Sequence, residues 1–541
     1  MTHDLCRPTK EACVAVALGA GFMMAASGAV IPAGTPLAAT QEMRRNNAAE
    51  PESLDPALVE SLPASHIVGD LFEGLTAIDN HGALVPGAAE SWRQTDMTTW
   101  VFKLRAGARW SDGTPVTADD FVYSWRRFVD QKTAAPQAAT DGDYILNGVA
   151  ISKGDMPIDK LGVRALDALT FEVKTPRPIP FLPQLLALAQ FSPVPRVVVQ
   201  KYGREWTKPG NLVGNGAYVL KDWQPNSKVV VEKNPMYWDA GNVALTRVTY
   251  LSVDDGNADL KLYQSGENDM MLQVPAGSFE SLKAQYPREM HVSRLMGMRF
   301  YALNNSHPLL KDVRVRKALS MVIDRKVLAE RITADGQLPV YGLTIGSTEG
   351  VDPLTYEWAE WPMDKRVAEA RRLLGEAGVK PGAQFSLAYN TSDYQKKMAI
   401  FMASEWKTKL GLDVQMESME FTVLNQRRHA GDYQIARTGL LFDYPDVTGF
   451  FVVVQCGSDS NDDRSCDRKA DQLIEQGKAM SDPAKRKTLM TQAMRLEMDD
   501  YPMIPLLQYS VSRLVKPWVG GYDDANDQDA YRSKDFYIVR H

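Results

Sequence analysis

Short alternating runs and amphipathic helical stretches interleave along most of the chain, the pattern of mixed α/β domains and not of a repeat array or an all-β protein. Trp100, Phe102 and Leu104 alternate with Val101, Lys103 and Arg105, which predicts a half-buried strand leading to the turn Ser111-Asp112-Gly113-Thr114-Pro115. A helix should follow. Thr117 is a good N-cap with Asp120 three residues on, a capping-box variant, and Phe121, Val122, Trp125, Phe128 and Val129 recur at helical spacing. Further helices are predicted over 315–332, with Ala318, Leu319, Val322 and Ile323 on one face, and over 365–377, ending at Gly378. Another spans 396–410 and carries Met398, Phe401, Met402 and Trp406. These aromatic and methionine stripes read as core, since a helix on a globular body needs one apolar face to bury.

The N-terminal region departs from this pattern. Arg7 and Lys10 precede a stretch from Ala12 to Thr40 with no charged residue, whose apolar part, 14–31, is rich in Ala and Gly. Small residues at Ala26, Gly28, Ala29, Ala38 and Ala39 offer several cleavage points, so residues 1–40 are expected to be a secretory leader. An uncleaved membrane anchor is the alternative, but the stretch is weakly hydrophobic and ends in small residues. Cys6 and Cys13 would leave with the leader, and Cys456 and Cys466 would remain. The segment 457–465 between them is small, polar or charged, as a surface loop should be, and export leads to an oxidising compartment, so a local disulfide is expected.

At 541 residues the chain is far above the roughly 150-residue prior for one domain. Its net charge of -6 argues against a nucleic-acid partner, which would need a basic face. No G-x-S-x-G elbow, H-E-x-x-H motif or P-loop occurs, and the seven His show no ligand spacing, so a secreted hydrolase has no supporting motif and no metal or other cofactor is implied. The stretch 433–451 stands out chemically. Arg437 and Asp443 flank the apolar run Leu440-Leu441-Phe442, broken by Gly439 and Pro445. A carboxylate in such surroundings can pair with an ammonium; it can equally be a turn or cap residue.

Several stretches resemble the ABC-transporter extracytoplasmic solute-binding proteins that take peptides, the periplasmic oligopeptide-binding proteins and their murein-peptide-binding relatives. They include Ser53-Leu54-Asp55-Pro56, Asp70-Leu71-Phe72-Glu73-Gly74-Leu75, Trp110-Ser111-Asp112-Gly113-Thr114-Pro115-Val116-Thr117 and Asn215-Gly216-Ala217-Tyr218. Asp312-Val313-Arg314-Val315-Arg316, Tyr389-Asn390-Thr391-Ser392 and Arg513-Leu514-Val515-Lys516-Pro517-Trp518 follow in the same order. The resemblance implies a three-domain, two-lobed α/β fold of the periplasmic-binding-protein type that closes on a hinge around its ligand. Domain one would comprise 41–72, 196–296 and 511–541, domain two 73–195, and domain three 297–510. It also implies a periplasmic monomer that hands short peptides to ABC permease subunits in the inner membrane.

By the same resemblance, Asp443 receives the peptide's N-terminal amine, Glu60 and Leu62 occupy a loop lining the peptide, and Leu62 offers backbone groups as an added strand does. Arg428, Phe421, Asn390 and Tyr509 match further pocket positions. On the residues alone, Glu60 could cap a loop, Arg428 belongs to a charged Arg427-Arg428-His429 cluster that is usually solvated, and Phe421 and Tyr509 could be core. Departures from the family pattern matter too. General oligopeptide binders carry Trp-Cys where this chain has Leu440-Leu441, and the partner cysteine position is Gly297. Two positions that are cationic in the family are Thr333 and Gln395, leaving Arg437 as the matched cation. The run Glu205-Trp206-Thr207-Lys208-Pro209-Gly210-Asn211-Leu212 and the pair Gln508-Tyr509 look more like the murein-peptide branch; a same-fold binder of a non-peptide solute is a further alternative. The leader makes a direct prediction: N-terminal sequencing of the secreted protein should begin between residues 29 and 41, and intact Met1 recovered from membranes would overturn it.

Overall fold

The computed structural model describes residues 31–442 and 444–541; the expected leader through residue 30, and Asp443, lie outside the described residues. Two large apolar cores organise the chain into two lobes. One is built from residues between Met43 and Met270 together with Val515, Val519, Tyr531, Phe536 and Ile538, the other from residues between Met296 and Leu507.

The first lobe contains two four-stranded sheets. In one, Glu42–Asn46 runs parallel to Arg247–Leu251, followed in order by Lys228–Lys233 and Tyr218–Gln224. The other is an antiparallel sheet in the order Ala89–Asp96, Thr99–Leu104, Thr170–Lys174, Val163–Asp167. Thr99–Leu104 is the strand expected from alternation, with Trp100, Phe102 and Leu104 buried. The helix after it, Ala118–Val129, opens with the expected capping box, the Thr117 N–H donating to the Asp120 carboxylate at 2.8 Å. Its stripe is core: Phe121, Trp125, Phe128 and Val129 are buried, and the Trp125 ring packs against Phe171 and Phe191.

The second lobe is built on a six-stranded sheet, ordered Leu338–Pro339, Met503–Leu514, Met290–Leu303, Ile435–Leu441, Gln384–Asn390, Asp413–Met419. Helices Met363–Glu376 and Asp393–Leu410 match their predicted positions. Met398, Met402 and Trp406 of the latter are buried, and the Trp406 indole donates to the Leu319 carbonyl at 2.9 Å. The single helix predicted over 315–332 is instead broken. Val313–Met321 ends, and a new turn, Arg325–Val327, starts on Asp324, whose carboxylate accepts from the Val327 N–H at 3.0 Å. The break aims the Arg325 guanidinium inward, where it donates to the carbonyls of Pro505 and Ser320 at 2.8 and 3.0 Å. A straight helix could not place a buried Arg there, so tertiary hydrogen bonding overrides the helical period.

Cys456 and Cys466 are disulfide-bonded, as expected. Asn461 braces the loop by donating to the carbonyls of Val454, Gln455 and Ser465.

The strands Met290–Leu303 and Met503–Leu514 carry the chain from one core to the other. Their antiparallel ladder is interrupted: Arg294 pairs with Ser510, and pairing resumes at Met298 with Gln508, so Leu295, Met296, Gly297 and Tyr509 fall in the gap. Such irregularities bend a strand and raise its twist.

A buried acid in the second lobe gives the fold a pH dependence. Glu497, on the helix Pro483–Asp500, is fully buried, and neither carboxyl oxygen has a partner among the described residues. Burial, reinforced by Asp467, Asp471 and Asp500, raises its pKa from 4.5 to about 9. The folded protein therefore holds a proton here that the unfolded chain releases above pH 4.5, so stability falls as pH rises from there towards about 9. Urea unfolding at about pH 5.5 and pH 8 should show Glu497→Gln losing less stability than the wild type, by about 3 kcal/mol. Equal losses would refute the assignment.

Candidate functional site

The strand Ile435–Leu441 lies antiparallel to Met290–Leu303, with Arg437 opposite Tyr301 and Gly439 opposite Arg299. Because side chains alternate across a strand, Arg299, Tyr301 and Arg437 share one face of the sheet. Around them stand Tyr509 and Tyr394, whose ring centres lie 4.2 and 4.9 Å from the Arg299 guanidinium carbon, and Phe421, 5.7 Å from that of Arg437. Gly439 is small because the Tyr509 hydroxyl occupies the space: a Cβ built at Gly439 would overlap that oxygen.

The electrostatics of this face favour an anion. Among the described residues neither guanidinium has an ion pair; Arg299 Nε donates to Gln337 Oε1 at 3.1 Å, and Arg437 Nε, though buried, has no hydrogen-bond partner. Burial lowers the Arg437 pKa from its usual value; Tyr509 opposes that shift, and the neighbouring Arg299 charge adds to it. The Tyr301 hydroxyl, also buried, has no partner, and burial raises its pKa.

A second group of expected residues lines a cavity of about 320 Å³ where the lobes meet. Leu62 and Leu441, 58% and 56% exposed, face it together with Met296, Val511 and residues 527–532. Across the same boundary the Tyr444 ring stacks on Phe181 of the first lobe, centres 4.3 Å apart.

The remaining expected positions scatter. Phe421 is the first residue of the helix Phe421–Ala430 and half exposed, and Asn390 ends the strand Gln384–Asn390 with its Oδ1 buried and unpartnered. Leu440 packs against the second core, while Gln395 is buried in the first turn of its helix with its N–H capped by Ser392 at 3.1 Å. Glu60 is exposed, its N–H held by Glu52 at 2.7 Å. Two placements differ from expectation. Leu62 does not present an extended edge: Ser61 caps, and Pro63 favours, a helix over Leu62–Leu71, so its backbone is helical. Arg428 is not a solvated cation; its Nε donates to Asp462 at 2.5 Å, with both side chains largely buried. His429 joins the same carboxylate at 2.7 Å, so the disulfide-closed loop docks on the helix that carries Phe421.

Arg299, Tyr394 and Gln337 escape a reading of the sequence. Arg299 alone leaves a trace, as a charge inside the apolar run Met298-Arg299-Phe300-Tyr301-Ala302-Leu303.

The profile of bacterial extracellular solute-binding proteins, family 5 Middle, matches residues 83–462. The chain is 40% identical to the periplasmic oligopeptide-binding protein OppA of Escherichia coli K12 over 546 aligned positions, covering all of both chains. Two structures of the murein tripeptide-binding protein MppA are each 37% identical and match 94% of this chain, covering 99% and 100% of theirs. The TM-score is 0.88 with the unliganded open form and 0.74 with the other, from Escherichia coli. At equal identity, the chain superposes better on the structure of the unliganded open form than on the other.

A half-buried guanidinium with no ion pair among the described residues carries an uncompensated desolvation cost. Arg437→Met should therefore leave the ligand-free form as stable as the wild type, or more stable by about 1 kcal/mol. A drop of several kcal/mol in chemical unfolding would mean that Arg437 supports the fold instead.

Proposed function

From its place in family 5 of the bacterial extracellular solute-binding proteins, to which the chain belongs, we propose that it is a periplasmic receptor that encloses short peptides between its lobes and delivers them to an ABC import permease. The observation that carries this reading is the cleft with two cations, Arg299 and Arg437, that have no ion pair among the described residues on one wall and exposed apolar side chains, Leu62, Leu441 and Phe421, beside it. A peptide's shared features are its backbone and two charged ends, so a receptor tolerant of sequence must grip those. Arg437 suits a carboxylate, and Asp443, six residues further along the chain, is assigned to the α-ammonium.

In this reading residues 41–72, 196–296 and 511–541 form one domain, 73–195 a second and 297–510 the third. Closure bends the two strands at their interrupted register, between Arg294 and Met298, bringing Leu62 and the tyrosine wall onto the ligand. The same cleft would accept murein peptides, which carry the same terminal groups; the resemblance of 205–212 and Gln508-Tyr509 to that branch supports this narrower cargo.

Calorimetric titration of the wild type and Asp443→Asn with a free-amine peptide and its N-acetylated twin tests the reading. Asp443→Asn should weaken the free-amine peptide about 30-fold or more, an effect of roughly 2 kcal/mol, and change the acetylated one little. Equal loss for both peptides would reduce Asp443 to a turn residue. Binding of neither by the wild type would point to a non-peptide solute.

A further inference from the structure

The peptide reading gives Arg437 a carboxylate to meet but leaves Arg299 without a task. Its surroundings are built with care. Asp335 Oδ2 accepts from Gln337 Nε2 at 2.6 Å and from the Tyr394 hydroxyl at 3.2 Å. Through Oδ2 the carboxylate fixes an amide and a ring, its buried Oδ1 having no partner among the described residues, and the amide oxygen so fixed accepts from Arg299 Nε at 3.1 Å. Tyr394 and Tyr509 hold the guanidinium at 4.9 and 4.2 Å from their ring centres. This orients the planar group through Nε alone. Its two terminal nitrogens have no acceptor among the described residues. On the same face of the sheet lie Arg437, with its Nε unpartnered, and the Tyr301 hydroxyl, buried and also unpartnered.

Two guanidiniums on one partly buried face repel each other, and a lone carboxylate neutralises only one of them. Every peptide brings one carboxylate at its C-terminus. The group that discriminates between ligands is therefore a second one. A guanidinium held through Nε keeps its terminal fork free, and that fork matches a carboxylate in a two-bond geometry that neutral side chains cannot supply.

We infer that Arg299 and Arg437 form a two-cation subsite that takes a second carboxylate of the ligand, making this receptor selective for peptides with an acidic side chain. The inference rests on the peptide reading and narrows its substrate class. Arg299 acts as the specificity-determining residue. Gln337 and Asp335 position it, and Tyr301 offers a further hydroxyl to the bound anion.

The test uses tri- and tetrapeptides of alanine in which one position at a time is Glu or Gln, titrated calorimetrically into the full-length mature protein. At one or more positions the wild type should bind the Glu peptide about tenfold or more tightly than its Gln twin. Arg299→Gln should cut that preference to about threefold or less while changing the Gln peptide's affinity little, and Arg299→Lys, which keeps the charge without the fork, should fall between. Tight binding of both twins with no preference in the wild type would overturn the acidic subsite and leave the peptide reading standing. A preference that survives intact in Arg299→Gln would overturn the role of Arg299. If no peptide of either series binds, the peptide reading and this inference fall together. The wild-type comparison needs no variant, so misfolding of a mutant cannot shelter the inference.

Discussion

Two paired strands of the six-stranded sheet, Met290–Leu303 and Met503–Leu514, run from the second core to a small cluster around Met271 and Leu514 and lead into the first core at Val515. This pairing sets everything at the cleft. The same strands supply Arg299 and Tyr301 on the second-lobe side of their interrupted register, Tyr509 within the gap, and Met296 and Val511 at the cavity where the lobes meet. The interrupted register thus lies within a few residues of the groups proposed to face the ligand. In the proposed closure, a bend there would re-aim the site without repacking either core, which would cost far more than a change in a few backbone dihedrals.

The charges divide along the same line. Other buried cations meet carboxylates or backbone carbonyls: Arg513 pairs with Asp529 at 2.5 Å, Arg486 with Asp446 at 2.8 and 2.9 Å and Arg127 with Asp55, while Arg325 donates to the carbonyls of Pro505 and Ser320. Removing a partner from such a pair typically costs about 3–5 kcal/mol. Arg299 and Arg437 lack such a match among the described residues, and their desolvation is tolerated by stacking on tyrosine and phenylalanine rings, each contact worth about 0.5–2 kcal/mol. Arg299 and Arg437 differ from all of these in having neither a carboxylate nor a backbone carbonyl as acceptor among the described residues.

Local sequence logic reached far into the fold. The capping box at Thr117, the alternation from Trp100 to Leu104 and the stripe from Met398 to Trp406 were legible because each is set by neighbours in the chain. The disulfide followed from cysteine arithmetic, and Arg437 and Asp443 from two charges flanking an apolar run. What was hidden depends on distant partners. The break before Arg325 is set by the carbonyl of Pro505, 180 residues away, and the status of Arg428 by Asp462. Arg299 became a site residue only when its strand was placed beside that of Arg437 and its ring neighbours arrived from two other elements. Leu62 was misjudged because Ser61 and Pro63, a strong helix start, were given less weight than the loop expected around them.

Gly439 carries a consequence for how such a cleft can diverge over generations. Its glycine is required by the Tyr509 hydroxyl that fills the space above it and not by an unusual backbone, since its φ is not positive. A larger residue at Gly439 pushes on the end of the Tyr509 ring and shifts it from Arg299, whereas shrinking Tyr509 first exposes one side of Arg299. The two positions are therefore historically coupled, and the order of substitutions matters. Leu441, which faces the cavity between the lobes, stands outside that coupling, and the departure of Leu440-Leu441 from the Trp-Cys of general oligopeptide binders illustrates divergence there.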